Sequence, residues 1–129
     1  MTKILVVDDD RDSADSLGAL FEAMGHEVQV GYSGQHALSL AAARVPHIIF
    51  LDLMMPVVDG FEAARQIRSA SPITDHPFIV ALTGLSGAEV QKRTREAGMD
   101  AYVVKPVDFS ALMMIVDSLK NREHPSQPD

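Results

Sequence analysis

Three uninterrupted apolar runs set the first constraint on this chain: "ILVV" from Ile4, "IIFL" from Ile48 and "FIVAL" from Phe78. Runs this short, closed off by acids or turn formers, suit strands better than helices. A strand that is apolar at every position must be covered on both faces, which is the condition of a central strand in a parallel sheet. Two further segments have strand character. "EVQVG" alternates polar and apolar residues, as an edge strand does, and "AYVVK" precedes a proline. The expected strands are therefore Ile4–Asp8, Glu27–Gly31, Ile48–Asp52, Phe78–Leu82 and Ala101–Lys105.

Helical patterns fill the gaps. The first places Ala14, Leu17, Leu20, Phe21 and Met24 on one stripe and stops at Gly25. The second follows Ser33, a good N-cap, and carries Ala37, Leu38 and Ala41. The third follows an Asp59-Gly60 turn with Phe61, Ala64 and Ile67. The fourth opens with Ser86-Gly87-Ala88-Glu89, a capping-box pattern, and stops at Gly98. Its apolar stripe, Val90, Thr94 and Ala97, is thin, so its anchoring is weak. The fifth starts at Asp108 and carries Phe109, Leu112, Met113, Val116 and Leu119. The seven methionines read mainly as core filler. Strand and helix alternate five times, which predicts an α/β fold with a doubly wound five-stranded parallel sheet. Strand order 2-1-3-4-5 fits best, because it leaves the alternating second strand at an edge. A single domain over residues 1–122 is expected, followed by a polar tail at 123–129 that frays.

Ligands of such sheets bind at the carboxyl ends of the strands. There the central strands bring Asp8 and Asp9, then Asp52, then Thr83, then Lys105. Clustered carboxylates cannot all stay ionised without a cation. Oxygen-only ligands point to Mg2+. The histidines (His26, His36, His47, His76 and His124) are scattered, and there is no cysteine, which excludes disulfides, thiolate catalysis and sulfur-ligated zinc. An ionised Asp beside a metal and a Lys is a nucleophile toward phosphorus, with Thr83 and Lys105 placed to neutralise phosphoryl oxygens. No glycine-rich nucleotide cradle is present, so the phosphoryl group is expected to arrive on a donor bound to something else. Asp10 reads as a helix N-cap rather than a ligand.

The net charge of −7 argues against nucleic-acid and anionic-membrane binding. No apolar stretch approaches the roughly 20 residues of a membrane span. No secretory signal is visible, so a cytoplasmic location is the expectation.

Through the motifs "ILVVDDD", "IIFLDLMMPVVDG", "ALTG" and "AGMDAYVVKP" the chain resembles, over roughly residues 3 to 120, the receiver domain of bacterial two-component response regulators of the chemotaxis-regulator type. The resemblance implies a flavodoxin-like (βα)5 fold and makes Asp52 the phosphoacceptor. It implies magnesium held by Asp8, Asp9, Asp52 and the Met54 backbone carbonyl. Thr83 and Tyr102 become the switch pair, and the Lys105-Pro106 bond is expected to be cis. The donor would be a sensor histidine kinase or a histidine phosphotransfer protein. The output would be a protein target meeting a face built from the fourth helix, fifth strand and fifth helix, on a monomer or a phosphorylation-dependent dimer. Such a domain assists its own phosphorylation but is not a turnover enzyme. The positions two after Asp52 and Thr83 tune hydrolysis in that family. Here they are Met54 and Leu85, both apolar, so a long-lived phospho-form is expected.

Rival readings are weaker. A phosphatase of the haloacid dehalogenase type needs a second Asp two residues after Asp52, where Met54 stands. A flavin or dinucleotide module would want a glycine-rich or hydroxyl-rich loop where three acids stand. A phosphorylation-independent adaptor stays open. Met1 just ahead of the first strand reads as a native start. The chain is either a stand-alone regulator or a receiver excised from a hybrid histidine kinase, a phosphorelay protein or a longer regulator.

Overall fold

The computed structural model describes residues 2–70 and 77–123. Strands and helices alternate through β1 (Lys3–Val7), α1 (Arg11–Ala23), β2 (Glu27–Gly31), α2 (Gly34–Ala43) and β3 (Ile48–Asp52). They continue through α3 (Gly60–Ala70), β4 (Phe78–Thr83), α4 (Ala88–Glu96), β5 (Ala101–Val104) and α5 (Phe109–Glu123). All pairings are parallel, in the order β2-β1-β3-β4-β5. The register sets Val7 beside Leu51, Asp52 beside Leu82 and Thr83 beside Val104, so the central strands end level with one another.

Alternate residues of the continuous runs feed two cores. Ile4, Val6, Phe50, Val80 and Leu82 face α1 and α5, where they meet Phe21, Leu112 and Val116. Leu5, Val7, Ile49, Leu51 and Ala81 face the other way, onto Ala37, Ala64 and Ile67 of α2 and α3. This is the physical content of an apolar strand: two opposite faces, each with its own helix layer.

Several helix details differ from the expected patterns. On α1 the buried residues are Ala14, Gly18 and Phe21, while Leu20 and Met24 are exposed. A Cβ on Gly18 would stand 2.8 Å from the Val30 side chain, so α1 lies close to β2 along a narrower seam than the stripe implied. Helix α4 has no capping box. Its N-cap is Gly87, at φ 115, and no side chain caps it. Met55 and Met99 are buried, but Met24, Met54 and Met114 are exposed, so the methionines are not mainly core filler. The thin anchoring of α4 holds: Thr94 is buried in it, Ala97 is buried at its end, and Arg93 lies 4.0 Å over the Phe61 ring of α3. His76, His124 and the tail beyond Glu123 lie outside the described residues.

The amino ends of β4 and β5 are joined by Arg68, near the end of α3. Its Nε donates to Gly98 O at 2.7 Å, and its two terminal nitrogens donate to Pro77 O and the Asp100 carboxylate. Asp100 also accepts the Ile79 N–H at 2.9 Å. One planar guanidinium therefore satisfies acceptors on two connections at once. Arg68→Ala is expected to cost about 2–3 kcal/mol in urea unfolding, and Arg68→Lys to recover less than half, since an ammonium cannot reproduce the fork.

Candidate functional site

Asp8, Asp52, Thr83 and Lys105 stand at strand ends because their strands stop there. Val7 closes β1 and delivers Asp8, which is buried and fixed by its N–H to Gly31 O at 3.2 Å. Asp8 Oδ1 in turn accepts the Asp10 N–H at 3.0 Å. Asp10 turns outward and caps α1, its carboxylate accepting from Asp12 N, Ser13 N and Ser13 Oγ. Asp9 is exposed on the rim. Asp52 ends β3, buried to 3% exposure, with the Met54 N–H donating to Oδ1 at 3.1 Å. Thr83 ends β4, fully buried, and its Oγ1 accepts the Leu85 N–H at 2.9 Å. Lys105 follows β5, its N–H bound to Thr83 O at 2.7 Å, and its peptide bond to Pro106 is cis, as expected.

These parts converge. One oxygen each from Asp8, Asp9 and Asp52 lie within 4.8 Å of one another. The Lys105 ammonium reaches across to 3.5 Å from Asp8 and 3.4 Å from Asp52. The Met54 side chain and Leu85 are exposed at the lip. Tyr102 is half-buried against the core that includes Ala97 and Met99.

The loop after Asp52 passes tightly behind it. A Cβ on Gly60 would fall 2.5 Å from Asp52 O, and one on Gly34 would fall 2.3 Å from Val58 O, so neither position admits a side chain without displacing backbone. Between these two contacts Val57 adopts φ 68 with its side chain 97% exposed. A β-branched residue in that region is sterically disfavoured. The sequence pattern gave no signal of this, because it cannot report which backbones approach.

Burial is the main electrostatic influence on Asp52 and pushes its carboxyl up to about 6; the neighbouring Asp8 also raises it, while the Met54 N–H and Lys105 act against the rise. The site thus binds a proton more tightly than a free carboxylate and has a deficit of positive charge. Its donors are all hard oxygens in one cluster, which is the donor set of a small divalent cation such as magnesium.

The model of the response regulator receiver domain matches residues 4–117. The chain belongs to the response regulator receiver family. This receiver is 37% identical to the response regulator MprA of Mycobacterium sp. over 128 residues, covering 98% of this chain and 54% of that protein. It is 34% identical to the response regulator PleD of Caulobacter vibrioides, covering 94% of this chain and 29% of that protein. The receiver therefore spans about half, or less, of the length of these relatives. Among solved structures, the Francisella response regulator 1452 receiver domain aligns with a TM-score of 0.86 at 28% identity, over 95% of this chain and 99% of that one. The Vibrio cholerae chemotaxis protein CheY4 aligns with a TM-score of 0.84 at 27% identity, over 92% of this chain and 98% of that one. No helix among the described residues is long and apolar enough to cross a membrane.

A groove of about 330 Å3 opens beside the site, from Asp8 and Lys105 along Leu17 and Leu20 to Pro106 and Phe109. Sequence reasoning missed it, since it treated Leu20 as core. Stability should report the charge deficit. The Asp52 carboxyl is raised in the folded state, so stability is greatest when it is protonated and falls as pH rises from about 4 to about 6. Asp52→Asn is expected to raise the metal-free Tm at pH 7 and to lose that advantage below pH about 4, where the Asp52 carboxyl is neutral in the folded and the unfolded state alike. A Tm difference independent of pH would contradict the assignment.

Proposed function

We propose that this receiver accepts a phosphoryl group on Asp52 from a phosphohistidine of a sensor kinase or phosphotransfer protein, with magnesium, within a two-component system. The observation that carries the reading is the meeting of a buried carboxylate with Asp8, Asp9 and the Lys105 ammonium at one strand-end cluster. An Asp52 carboxylate oxygen attacks phosphorus, the P–N bond of the donor breaks, and its electron pair stays on the imidazole nitrogen, which is then free to take a proton. Asp8, Asp9, Asp52 and the Met54 carbonyl would hold magnesium, which supplies positive charge to the phosphoryl oxygens when bound. Lys105 and the Thr83 hydroxyl are the chain's own groups for those oxygens. The hydroxyl accepts the Leu85 N–H and keeps its own proton to donate, so a movement of Thr83 toward a phosphoryl oxygen pulls on the β4–α4 connection.

The output reading follows from that connection. Thr83 and Tyr102 form the switch, and α4, β5 and α5 the face it alters. This fits a helix with little buried surface, and Val104 of β5 and Met114 of α5 are exposed. The domain works inside the cytoplasm as a signalling module and not as a turnover enzyme. The groove running from Asp8 and Lys105, the two residues that flank Asp52, offers the donor apolar surface.

Incubation with magnesium and acetyl phosphate is expected to add one phosphoryl mass, abolished in Asp52→Asn. An unlabelled wild-type chain would favour the phosphorylation-independent adaptor. In the same assay Asp8→Ala and Asp9→Ala should label poorly, whereas Asp10→Ala should label normally and lose about 1 kcal/mol of stability through its missing cap. Lifetime is a separate test. Neither Met54 nor Leu85 can orient a water toward phosphorus, so replacing both with polar residues should shorten the phospho-form's half-life several-fold; an unchanged decay rate would contradict this.

A further inference from the structure

A second constellation stands on the β2 side of the site, and the proposed transfer does not use it. Tyr32 follows Gly31, whose carbonyl accepts the Asp8 N–H. The Tyr32 hydroxyl donates to Asp15 on α1. Its backbone N–H donates to His36 Nδ1 at 3.3 Å, and the two rings are 6.1 Å apart. The face of its ring carries the Arg11 guanidinium, 4.3 Å from the centroid.

Arg11 is the first residue of α1 and stands two residues beyond Asp9. A guanidinium on a long side chain at that position is a natural competitor for the acidic cluster, since it pairs with carboxylates through a rigid fork of donors. The cluster sets three carboxylates against the Lys105 ammonium. Arg11 nevertheless lies over an aromatic ring, and that ring is oriented by the hydroxyl's bond to Asp15. Stacking on the negative face of a tyrosine gives the cation an alternative partner.

We infer that Tyr32 is a positioning residue that holds Arg11 away from Asp8 and Asp9 and so preserves the affinity of the acidic cluster for a divalent cation. The inference rests on the reading of Asp8, Asp9 and Asp52 as magnesium ligands. It is specific to the ring: the π face parks the guanidinium, and the hydroxyl only fixes the ring's orientation. Removing the ring frees a positive charge beside the cluster, whereas removing the hydroxyl leaves the stack in place.

Calorimetric titration of the full chain with magnesium chloride, at low and fixed ionic strength, tests this without any turnover. Tyr32→Leu should weaken magnesium binding about fivefold, the effect of one unit charge at a few ångströms in a high-dielectric setting. Tyr32→Phe should weaken it less. Arg11→Ala placed in the Tyr32→Leu background should restore the wild-type affinity, and added salt should shrink the Tyr32→Leu defect. A purely structural role for Tyr32 would lower Tm without moving magnesium affinity, and that result overturns the inference. So does a double variant that stays as weak as Tyr32→Leu. Wild-type protein that takes up no magnesium overturns the metal reading itself, and is told apart because wild-type and Asp9→Asn isotherms would then both be flat.

Discussion

The repulsion between Asp8 and Asp52 is the constraint on which the rest of this molecule turns. Their strands are neighbours and end level, so the sheet itself fixes two carboxylates side by side in a buried corner. Water cannot screen them well there. Lys105 offsets part of the repulsion, but it does so from the far side of β4 and at the limit of an ion pair, 3.4 to 3.5 Å. The carboxyl end of the sheet is thus left short of positive charge, and every added cation or proton acts on that shortage.

The opposite end of the sheet is arranged in the reverse way. Arg68 and Asp100 join α3 to the starts of β4 and β5 with hydrogen bonds that leave each charge matched. One end is a matched staple and the other a cluster of like charges. Helix α4 lies between them, tied to α3 by Arg93 over Phe61 and otherwise thinly packed. Strain or charge introduced at Thr83 therefore meets its least resistance along the β4–α4 connection.

Much of this was legible in the sequence, for a physical reason. Short continuous apolar runs suit central parallel strands, and a run that stops at a polar or charged residue marks its own carboxyl end. Asp8, Asp52, Thr83 and Lys105 could therefore be placed before any coordinates. What stayed hidden depends on neighbours from other segments. Helical periodicity put Leu20 and Met24 in the core, but α1 meets β2 closely at Gly18 and Val30, and both Leu20 and Met24 are exposed. The Ser86…Glu89 pattern matches a capping box, yet the chain turns at Gly87 instead. The Tyr32 stack on Arg11 and the Arg68 fork join residues 21 and about 30 positions apart, respectively, beyond the reach of any local pattern.

The loop behind Asp52 carries one more consequence. Val57 projects almost wholly into solvent from backbone held between the Gly34 and Gly60 contacts, and the chain contains no cysteine. A single thiol introduced at Val57 would be the molecule's sole one. It would place a fluorophore or spin label on the loop that follows Asp52, without touching a core side chain. The protein thus comes with a ready address for watching its own site in real time.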